Sequence, residues 1–473
     1  MQITLRNWGP VKEYTCDLSK SIVVTYGDNN IGKSYAMQVI YLLLKHLLAY
    51  SKQMVRFPRS AYFYLDDPDA KAPEVQLVME FTRKEEKIQD ISKRLVDFCA
   101  ERMAQELFPR ITDSLMNTFG TYDQIMEARP QIAIAIGDEF SCDFYFEDEA
   151  IELYLKRKPT RLRRALSDFH KCRNGKEYYD IYVYENYINS PIDLVEEELI
   201  KIQREICVMI LKKISNVYFL PASRSGIYTG MSSFGPILAQ LSQNRAYIKG
   251  PIQIPSIPEP ISDYYMMLSE IKGETQGKFL PYAEEIEKEI LKGEVLFDKK
   301  RKSIVYKPFD TDMRLEMQDT SSMVSEISPV TAFLKYIVED EVNFRIRRQI
   351  GYSEKPRAVI FIEEPEAHLH PMNQIKLIKA FVKLTRENIT LAMASHSNYV
   401  FNQLNNLILG NELKVNDYAP ILLEAKKGVS CSLYMKIDEF GADDENFADV
   451  SEFLMAEREA LIEILLERQW DGD

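Results

Sequence analysis

Apolar and polar residues alternate at the start of the chain, with Ile3 and Leu5 set between polar neighbours, and then close into the unbroken run Ile22-Val23-Val24. Alternation predicts short half-buried strands, and a continuous apolar run predicts a strand covered on both faces. The period then lengthens. Met37, Ile40, Tyr41, Leu44 and Leu48 recur at helical spacing, so a helix with one buried face follows directly. Strand-like alternation returns near Val75–Phe81.

From about Thr82 to Ser215 the pattern becomes charged and amphipathic. Ile88–Leu107 and Val195–Ile214 predict helices on either side of a β-rich stretch, Asp138–Leu155. The heptads are short and interrupted, which argues against a coiled-coil rod. Ser215–Pro221 predicts a core strand ended by its proline. A second excursion, roughly Phe234–Glu316, opens with Pro251, Pro255, Pro258 and Pro260, a spacing that predicts an extended linker. After Leu315 come a helix, the strong strand Arg357–Ile362, a second helix and the strand Ile389–Ala394. Strands alternating with helices at both ends of the chain predict an α/β core with a largely parallel sheet. That core is expected to comprise 1–81, 216–233 and 317–473, interrupted by insertions at 82–215 and 234–316. No internal repeat is visible.

Composition narrows the class without naming a function. The 473 residues are 46% hydrophobic, enough for a packed interior, and the net charge of −13 gives no general attraction to nucleic acid or to an acidic surface. The six cysteines (Cys16, Cys99, Cys142, Cys172, Cys207, Cys431) are scattered with no paired spacing, so free thiols in a reducing compartment are expected. No apolar run approaches the ~20 residues a bilayer crossing needs. The first residues read as a strand and not as a signal peptide, so a cytoplasmic protein without membrane contact is expected.

The strongest chemical signal is Gly27-Asp28-Asn29-Asn30-Ile31-Gly32-Lys33-Ser34, which fits G-x-x-x-x-G-K-[ST] between an apolar strand and an amphipathic helix. Glycines let such a loop wrap tightly, backbone N–H groups face phosphate oxygens, and the helix N-terminus adds partial positive charge. The expected nucleotide-binding set is Gly27, Asn29, Asn30, Gly32, Lys33, Ser34 and Tyr35. Lys33 reaches the β- and γ-phosphates, and the Ser34 hydroxyl ligates Mg²⁺. A glycine turn ahead of an ordinary helix is the bland alternative, and composition alone rarely produces this pattern.

Ala358–Ile362 is wholly apolar and ends in Glu363-Glu364, which delivers two carboxylates to the strand edge where α/β folds bind ligands. Glu363 is the expected second metal residue, acting through water, and Glu364 the general base toward the attacking water. Without the glycine loop, a charged turn after a core strand would serve equally well. The following Pro365-Glu366-Ala367-His368-Leu369-His370-Pro371 holds two histidines two positions apart. Zinc pairs on helices sit four apart, and no third ligand stands nearby, so structural or interface roles are expected for His368 and His370. A second apolar strand, Ile389–Ala394, ends in Ser395-His396-Ser397. His396 is the expected hydrogen-bond partner of the γ-phosphate or the attacking water.

In this order, with Asn7-Trp8-Gly9-Pro10-Val11-Lys12 ahead of the glycine loop, the motifs resemble the ABC-type ATPases of the OLD (overcoming lysogenization defect), SMC, Rad50 and RecF class. The resemblance covers the two ends of the chain. It implies an α/β P-loop NTPase fold of the ABC-ATPase type, with a mostly parallel core sheet, an antiparallel N-terminal subsheet and two largely helical insertions. It also implies ATP and Mg²⁺, hydrolysis of the triphosphate, and a homo-oligomer that is a dimer at least, or a higher assembly such as a hexamer. In such pairs a serine-rich signature contacts the partner's γ-phosphate, and the match is Asp319-Thr320-Ser321-Ser322-Met323-Val324, with Ser321 and Ser322 as the contacting residues. Met323 stands where many relatives have glycine, and Glu363 where aspartate is commoner.

Beyond His396 the pattern predicts only a strand pair and the helix Ala448–Leu466, with Asp443, Asp444 and Glu445 in a polar loop, so no Toprim nuclease is expected within the chain. The layout is similar to that of the stand-alone ATPase subunits of bacterial antiphage defence systems of the PARIS type. That likeness implies an effector partner, a Toprim nuclease, and a phage protein as trigger. Two rivals stand beside it. One is a scaffold whose ATP is structural. The other is a DNA-repair ATPase of the RecF or Rad50 type, for which Lys156, Arg157, Lys158, Arg161, Arg163 and Arg164 would supply a basic face. Arg224, just after a proline turn, is placed where it could reach the nucleotide from the side.

Overall fold

A computed structural model describes residues 1–56, 73–165, 172–174, 177–183, 189–232, 257–273, 277–338, 344–351, 355–444 and 447–470. The chain opens with the hairpin β1 (Gln2–Trp8) and β2 (Val11–Asp17), then β3 (Ile22–Tyr26), every residue of which is buried. Helix α1 (Lys33–Arg56) starts directly behind the glycine loop.

The middle of the chain contains α2 (Pro73–Arg83), β4 (Ile88–Asp90), α3 (Ser92–Thr118), the single turn α4 (Tyr122–Met126) and the meander β5 (Gln131–Ile136), β6 (Phe140–Tyr145) and β7 (Ala150–Leu155). A small sheet of β4 with β8 (Thr160–Arg164), β9 (Cys172–Asn174) and β10 (Tyr179–Val183) follows, before the long helix α5 (Asn189–Lys213) returns to the core strand β11 (Ile214–Leu220). After α6 (Arg224–Ser232) come α7 (Glu259–Ser269), α8 (Leu280–Ile286) and a three-stranded antiparallel sheet of β12 (Gly293–Asp298), β13 (Ser303–Pro308) and β14 (Leu315–Glu316). The last part runs α9 (Ser322–Tyr336), α10 (Phe344–Ile350), β15 (Arg357–Glu363), α11 (Pro371–Leu384), β16 (Ile389–Ala394), α12 (Asn398–Leu409), the hairpin β17 (Tyr418–Lys426) and β18 (Val429–Tyr434), and α13 (Ala448–Trp470).

One sheet dominates, in the order β11-β15-β16-β3-β17-β18-β2-β1-β5-β6-β7. The strands from β11 to β17 run parallel to one another, β18 turns back antiparallel to β17, and the stretch from β2 to β7 is antiparallel. This is the mixed α/β sheet that the alternating pattern implies. Its parallel part is apolar on both faces because each face has its own core. Val23, Val359, Phe361, Ala392 and Ala394 point into one cluster with α1, while Ile22, Val24, Ile360, Ile362, Leu391 and Met393 point into the other with α9, α11 and α12. The period of two along each strand deals successive residues to opposite cores.

Four local expectations change. Ile88–Asp90, expected to open a helix, is the strand β4, and the helix begins at Ser92. Val75–Phe81 is helix, not strand: Leu77, Val78 and Phe81 are buried while Met79 is exposed, which is the rhythm of a helical face. The β-rich stretch within 82–215 does not stand apart, because β5 pairs with β1 from Gln2↔Ala135 to Arg6↔Gln131 and carries the main sheet onward through β6 and β7. Pro258 and Pro260 do not extend a linker. Pro258 is the N-cap of α7 and Pro260 lies in its first turn, where a missing N–H costs nothing. Pro251 and Pro255, the start of the second excursion at Phe234, and Glu445 lie outside the described residues. Among the described residues no helix is long and apolar enough to cross a membrane.

Candidate functional site

The register of the parallel strands decides which motifs meet. β16 lies between β15 and β3, with Glu363 opposite Ala394 and Ala394 opposite Thr25. The C-terminal ends of three neighbouring strands therefore deliver the acid pair, Ser395-His396 and the glycine loop to one edge. Motifs more than three hundred positions apart in sequence become neighbours there.

Within the loop, Gly27 has φ 132°, Gly32 has φ 99° and Asn30 has φ 59°. Only glycine adopts the first two without strain. A Cβ on Gly27 would lie 2.3 Å from the Leu423 carbonyl oxygen and 2.7 Å from Ile31 Cδ1, and one on Gly32 would lie 2.6 Å from Val11 Cγ2. The loop is thus pressed against β17 on one side and the β1–β2 turn on the other. Gly27→Ala should cost about 1–3 kcal/mol of folding stability, read as a lower melting temperature. A melt unchanged from wild type would show that the loop relaxes freely.

Lys33 is buried, and its ammonium group donates to the carbonyls of Gly27 (2.9 Å) and Asp28 (2.6 Å). Burial lowers its pKa to about 8, against the opposing pull of Asp28, Glu364 and Glu366. Asn29, Asn30 and Ser34 are exposed along the loop. The Tyr35 ring turns aside onto Phe119, 4.5 Å between centroids, and sits beneath Gly9, so what Tyr35 can offer the cradle is main chain.

Glu363 is only 5% exposed. Its carboxylate accepts from the Ala222 backbone N–H (3.1 Å) and the Gln38 amide (3.3 Å), and it is in hydrogen-bonding contact with Ser34. Burial nonetheless pushes its pKa up. A desolvated carboxylate beside a serine hydroxyl is a pair of hard oxygen donors short of positive charge, which fits a divalent cation of the Mg²⁺ kind. Glu364 is half-exposed with φ 43°, and its N–H donates to the Ala394 carbonyl (2.9 Å). The His396 ring reaches the Gly27 carbonyl; burial and the Lys33 charge lower its pKa, while Glu364 opposes them. Lys33, Glu364 and His396 are therefore close enough to influence one another's charge.

Sequence reasoning did not single out two side chains of this edge. Gln38, one helical turn after Ser34, shares its face of α1 and reaches Glu363; a lone glutamine on an apolar helix was the available signal. Glu366 straps the acid loop to the histidine loop, accepting from Ser395 Oγ (2.8 Å) and His396 N (2.7 Å) through Oε1. The spacing Glu363, Glu364, Glu366 was visible, but nothing in it says where the third carboxylate points.

The other candidates fall elsewhere. Ser321 and Ser322 are exposed at the N-terminal tip of α9, where Ser321 caps the helix by accepting from Val324 N (3.4 Å). His368 is exposed, and His370 caps α11 through Nδ1 to Met372 N (3.3 Å). Among the described residues no group of three or more metal-ligating side chains gathers around them. Arg224 does not face the nucleotide loop; it is fully buried and its guanidinium donates to main-chain carbonyls of Pro221, Glu326, Glu363 and Glu364. The basic run is largely neutralised by its own chain. Lys156 pairs with Asp138 (2.9 Å), Arg157 with Glu198 (2.5 Å), and Arg161 and Arg163 both with the buried Asp180 (2.9 and 3.3 Å). Arg164 donates to the carbonyls of Thr82 at the end of α2 and Glu86 in the loop after it.

A family model described as AAA ATPase domain (AAA_15) matches residues 1–401. No curated protein matches the sequence. Solved structures that resemble the chain include an Smc head bound to the C-winged helix domain of ScpA, with 11% identity, 92% of this chain and 97% of that chain covered, and a TM-score of 0.36. An SMC head domain from Thermotoga maritima shows 8% identity, coverage of 92% and 98%, and a TM-score of 0.33. An Smc head with an extended coiled coil bound to the C-terminal domain of ScpA, from Pyrococcus furiosus, shows 11% identity, coverage of 97% and 98%, and a TM-score of 0.34.

Proposed function

We propose, from the premise that this chain belongs to the AAA ATPase domain family, that it is an ABC-type ATPase whose paired heads close on ATP and control a partner effector. The observation that carries the reading is the meeting of the glycine loop, the acid pair and His396 at the ends of three adjacent parallel strands.

Gly27, Asn29, Asn30, Gly32 and Tyr35 offer main-chain groups to the phosphates, and Lys33 offers its ammonium group to the β- and γ-phosphates. Ser34 and Glu363 would hold Mg²⁺, which when bound draws negative charge from the phosphates and lowers the barrier to attack. Glu364 accepts the proton of the attacking water, and His396, kept neutral by its surroundings, hydrogen-bonds the γ-phosphate or that water. Ser321 and Ser322, exposed at a helix N-terminus, contribute donors to the γ-phosphate held by a second copy, so that ATP bridges two heads and hydrolysis releases them. The assembly is a dimer at least, and a hexamer built from such pairs is compatible with the same contacts.

The effector role rests on layout. A head with moderate insertions resembles AriA of the PARIS antiphage system, and the corresponding partner is an AriB-like Toprim nuclease released in response to a phage trigger protein. Binding to DNA as in RecF- or Rad50-type repair has less support, because the acids of this chain already engage the basic run.

Phosphate release from ATP and Mg²⁺ by the purified chain tests the reading. Turnover should be clear in wild type and lost in Lys33→Ala, which removes the Lys33 ammonium group from the cradle. Wild-type release no higher than background would leave only a scaffold with structural ATP, and clear release from both proteins would remove Lys33 from the reaction.

A further inference from the structure

β11 leads into Pro221-Ala222-Ser223, with Ser223 at φ 53°, and Arg224 opens α6 in complete burial. Its guanidinium ends almost wholly on main chain. Nη1 donates to the carbonyls of Pro221 (3.2 Å) and Glu363 (2.8 Å), Nη2 to that of Glu364 (3.1 Å), and Nε to that of Glu326 (3.3 Å). Nε also lies 3.4 Å from the Glu326 carboxylate. Glu326 sits on α9, is 1% exposed, and accepts in turn from Arg224 N (3.0 Å), Ser225 N (3.2 Å) and Ser225 Oγ (2.5 Å). A buried arginine is costly unless its pairing is complete, and here the pairing includes both carbonyls of the acid pair.

Glu364 is the residue that needs such help. Its φ of 43° is a left-handed conformation that is costly for a non-glycine residue and persists only when the surroundings impose it. Its N–H is held by Ala394 and its C=O by Arg224, so both peptide groups around the side chain are fixed. The second anchor is tied to α9, whose N-terminal tip carries Ser321 and Ser322 less than two turns before Glu326.

The geometry points to Arg224 as the positioning residue for Glu364, and to the Arg224–Glu326 pair as the link between the exposed tip of α9 and the acid pair. Docking of a second head on that tip is then felt at the Glu364 main chain. Arg224 touches no reacting atom; it acts by setting where the Glu364 carboxylate stands. This deepens the ATPase reading above and rests on it.

Steady-state hydrolysis and binding of an ATP analogue with a non-hydrolysable γ-phosphate link, measured on the full chain, test the idea. Arg224→Lys keeps the charge but not the fork, and should lower kcat by about 10²-fold, the scale of a ~1 Å misplacement. Its affinity for the analogue should stay within about threefold of wild type, since no ground-state contact is lost. Glu326→Gln keeps the packing and should act in the same direction by roughly tenfold, and it carries the test if Arg224→Lys does not fold. Combined with Glu364→Gln, Arg224→Lys should add nothing, because both remove the same step. If the folded variants keep wild-type kcat while Glu364→Gln is inactive, or if kcat and analogue affinity fall together, the positioning role is wrong. Undiminished turnover in Glu364→Gln itself is a different failure, which removes the base and the clamp with it.

Discussion

Glu364→Gln should bind ATP and hold it, with hydrolysis lowered by about 10²–10⁴-fold, the usual worth of a positioned base. Glutamine has the size of glutamate, and the main chain that fixes this residue does not depend on its side chain, so the fold and the phosphate cradle should survive intact. What is lost is the ability to take the water's proton. If the γ-phosphate bridges two heads, a variant that binds without hydrolysing should accumulate as an ATP-dependent dimer. Phosphate release and light scattering with and without ATP read the two consequences separately. Full turnover in this variant would show that Glu364 is not the base. Lost turnover without dimers would show that the triphosphate does not bridge copies of this chain.

Much of the core was legible because its strands are buried on both faces and therefore read as unbroken apolar runs. Ile22–Val24, Ala358–Ile362 and Ile389–Ala394 leave little ambiguity of period, and each is followed within three residues by a chemically distinctive one, Gly27, Glu363 and Ser395-His396. The less legible parts are those where tertiary pairing decides. Val75–Phe81 alternates like a strand but is recruited as a helix against the α1 side of the sheet, because helical burial of Leu77, Val78 and Phe81 satisfies the same apolar residues. Asp138–Leu155 reads as β-rich, but the strand ahead of it, β5, was not singled out. Only its pairing with β1 reveals that it widens the main sheet, and pairing partners leave no local mark in the sequence.

The site divides in the same way. Residues tied to a fixed local motif, such as Lys33 and Ser34, can be proposed from spacing, and the structure places them in the loop that the spacing marks. Residues that act on other residues cannot be proposed that way. Arg224 carries a charge and follows a turn, which suggested a ligand contact, yet its guanidinium is turned inward onto carbonyls. Glu366 and Gln38 are polar residues beside apolar runs whose partners arrive from distant segments. In the proposed reading the cradle would hold a triphosphate, and the hydrogen bonds from Glu366 to the His396 loop and from Arg224 to Glu364 would hold the groups that act on it.

Those supports leave one carboxylate in a costly position, and its replacement should separate stability from activity. Glu363→Gln should raise the melting temperature at neutral pH while lowering turnover by about 10²-fold or more, roughly 3 kcal/mol of lost transition-state stabilisation at the metal. Burial raises the Glu363 pKa above its ordinary 4.5, the largest influence on it, and the N–H of Ala222 with the side chains of Ser34 and Gln38 offsets this only in part. The folded protein therefore keeps this proton at a pH where the unfolded chain has lost it. With more protons bound in the folded state, stability falls as pH rises from about 4.5 through the raised value, and the loss remains at every higher pH. Glutamine cannot ionise, and its carbonyl can still accept from Ala222, so that part of the slope disappears. Glu366, whose pKa burial also raises, should preserve a weaker slope in the variant. Melting curves of the nucleotide-free proteins at pH 5 and pH 7.5 would show the gap between variant and wild type widening toward the higher pH. A variant that melts below wild type at pH 7.5 would mean that the hydrogen bonds to Glu363 outweigh its desolvation, and that the carboxylate is held in place for the fold and not for a cation.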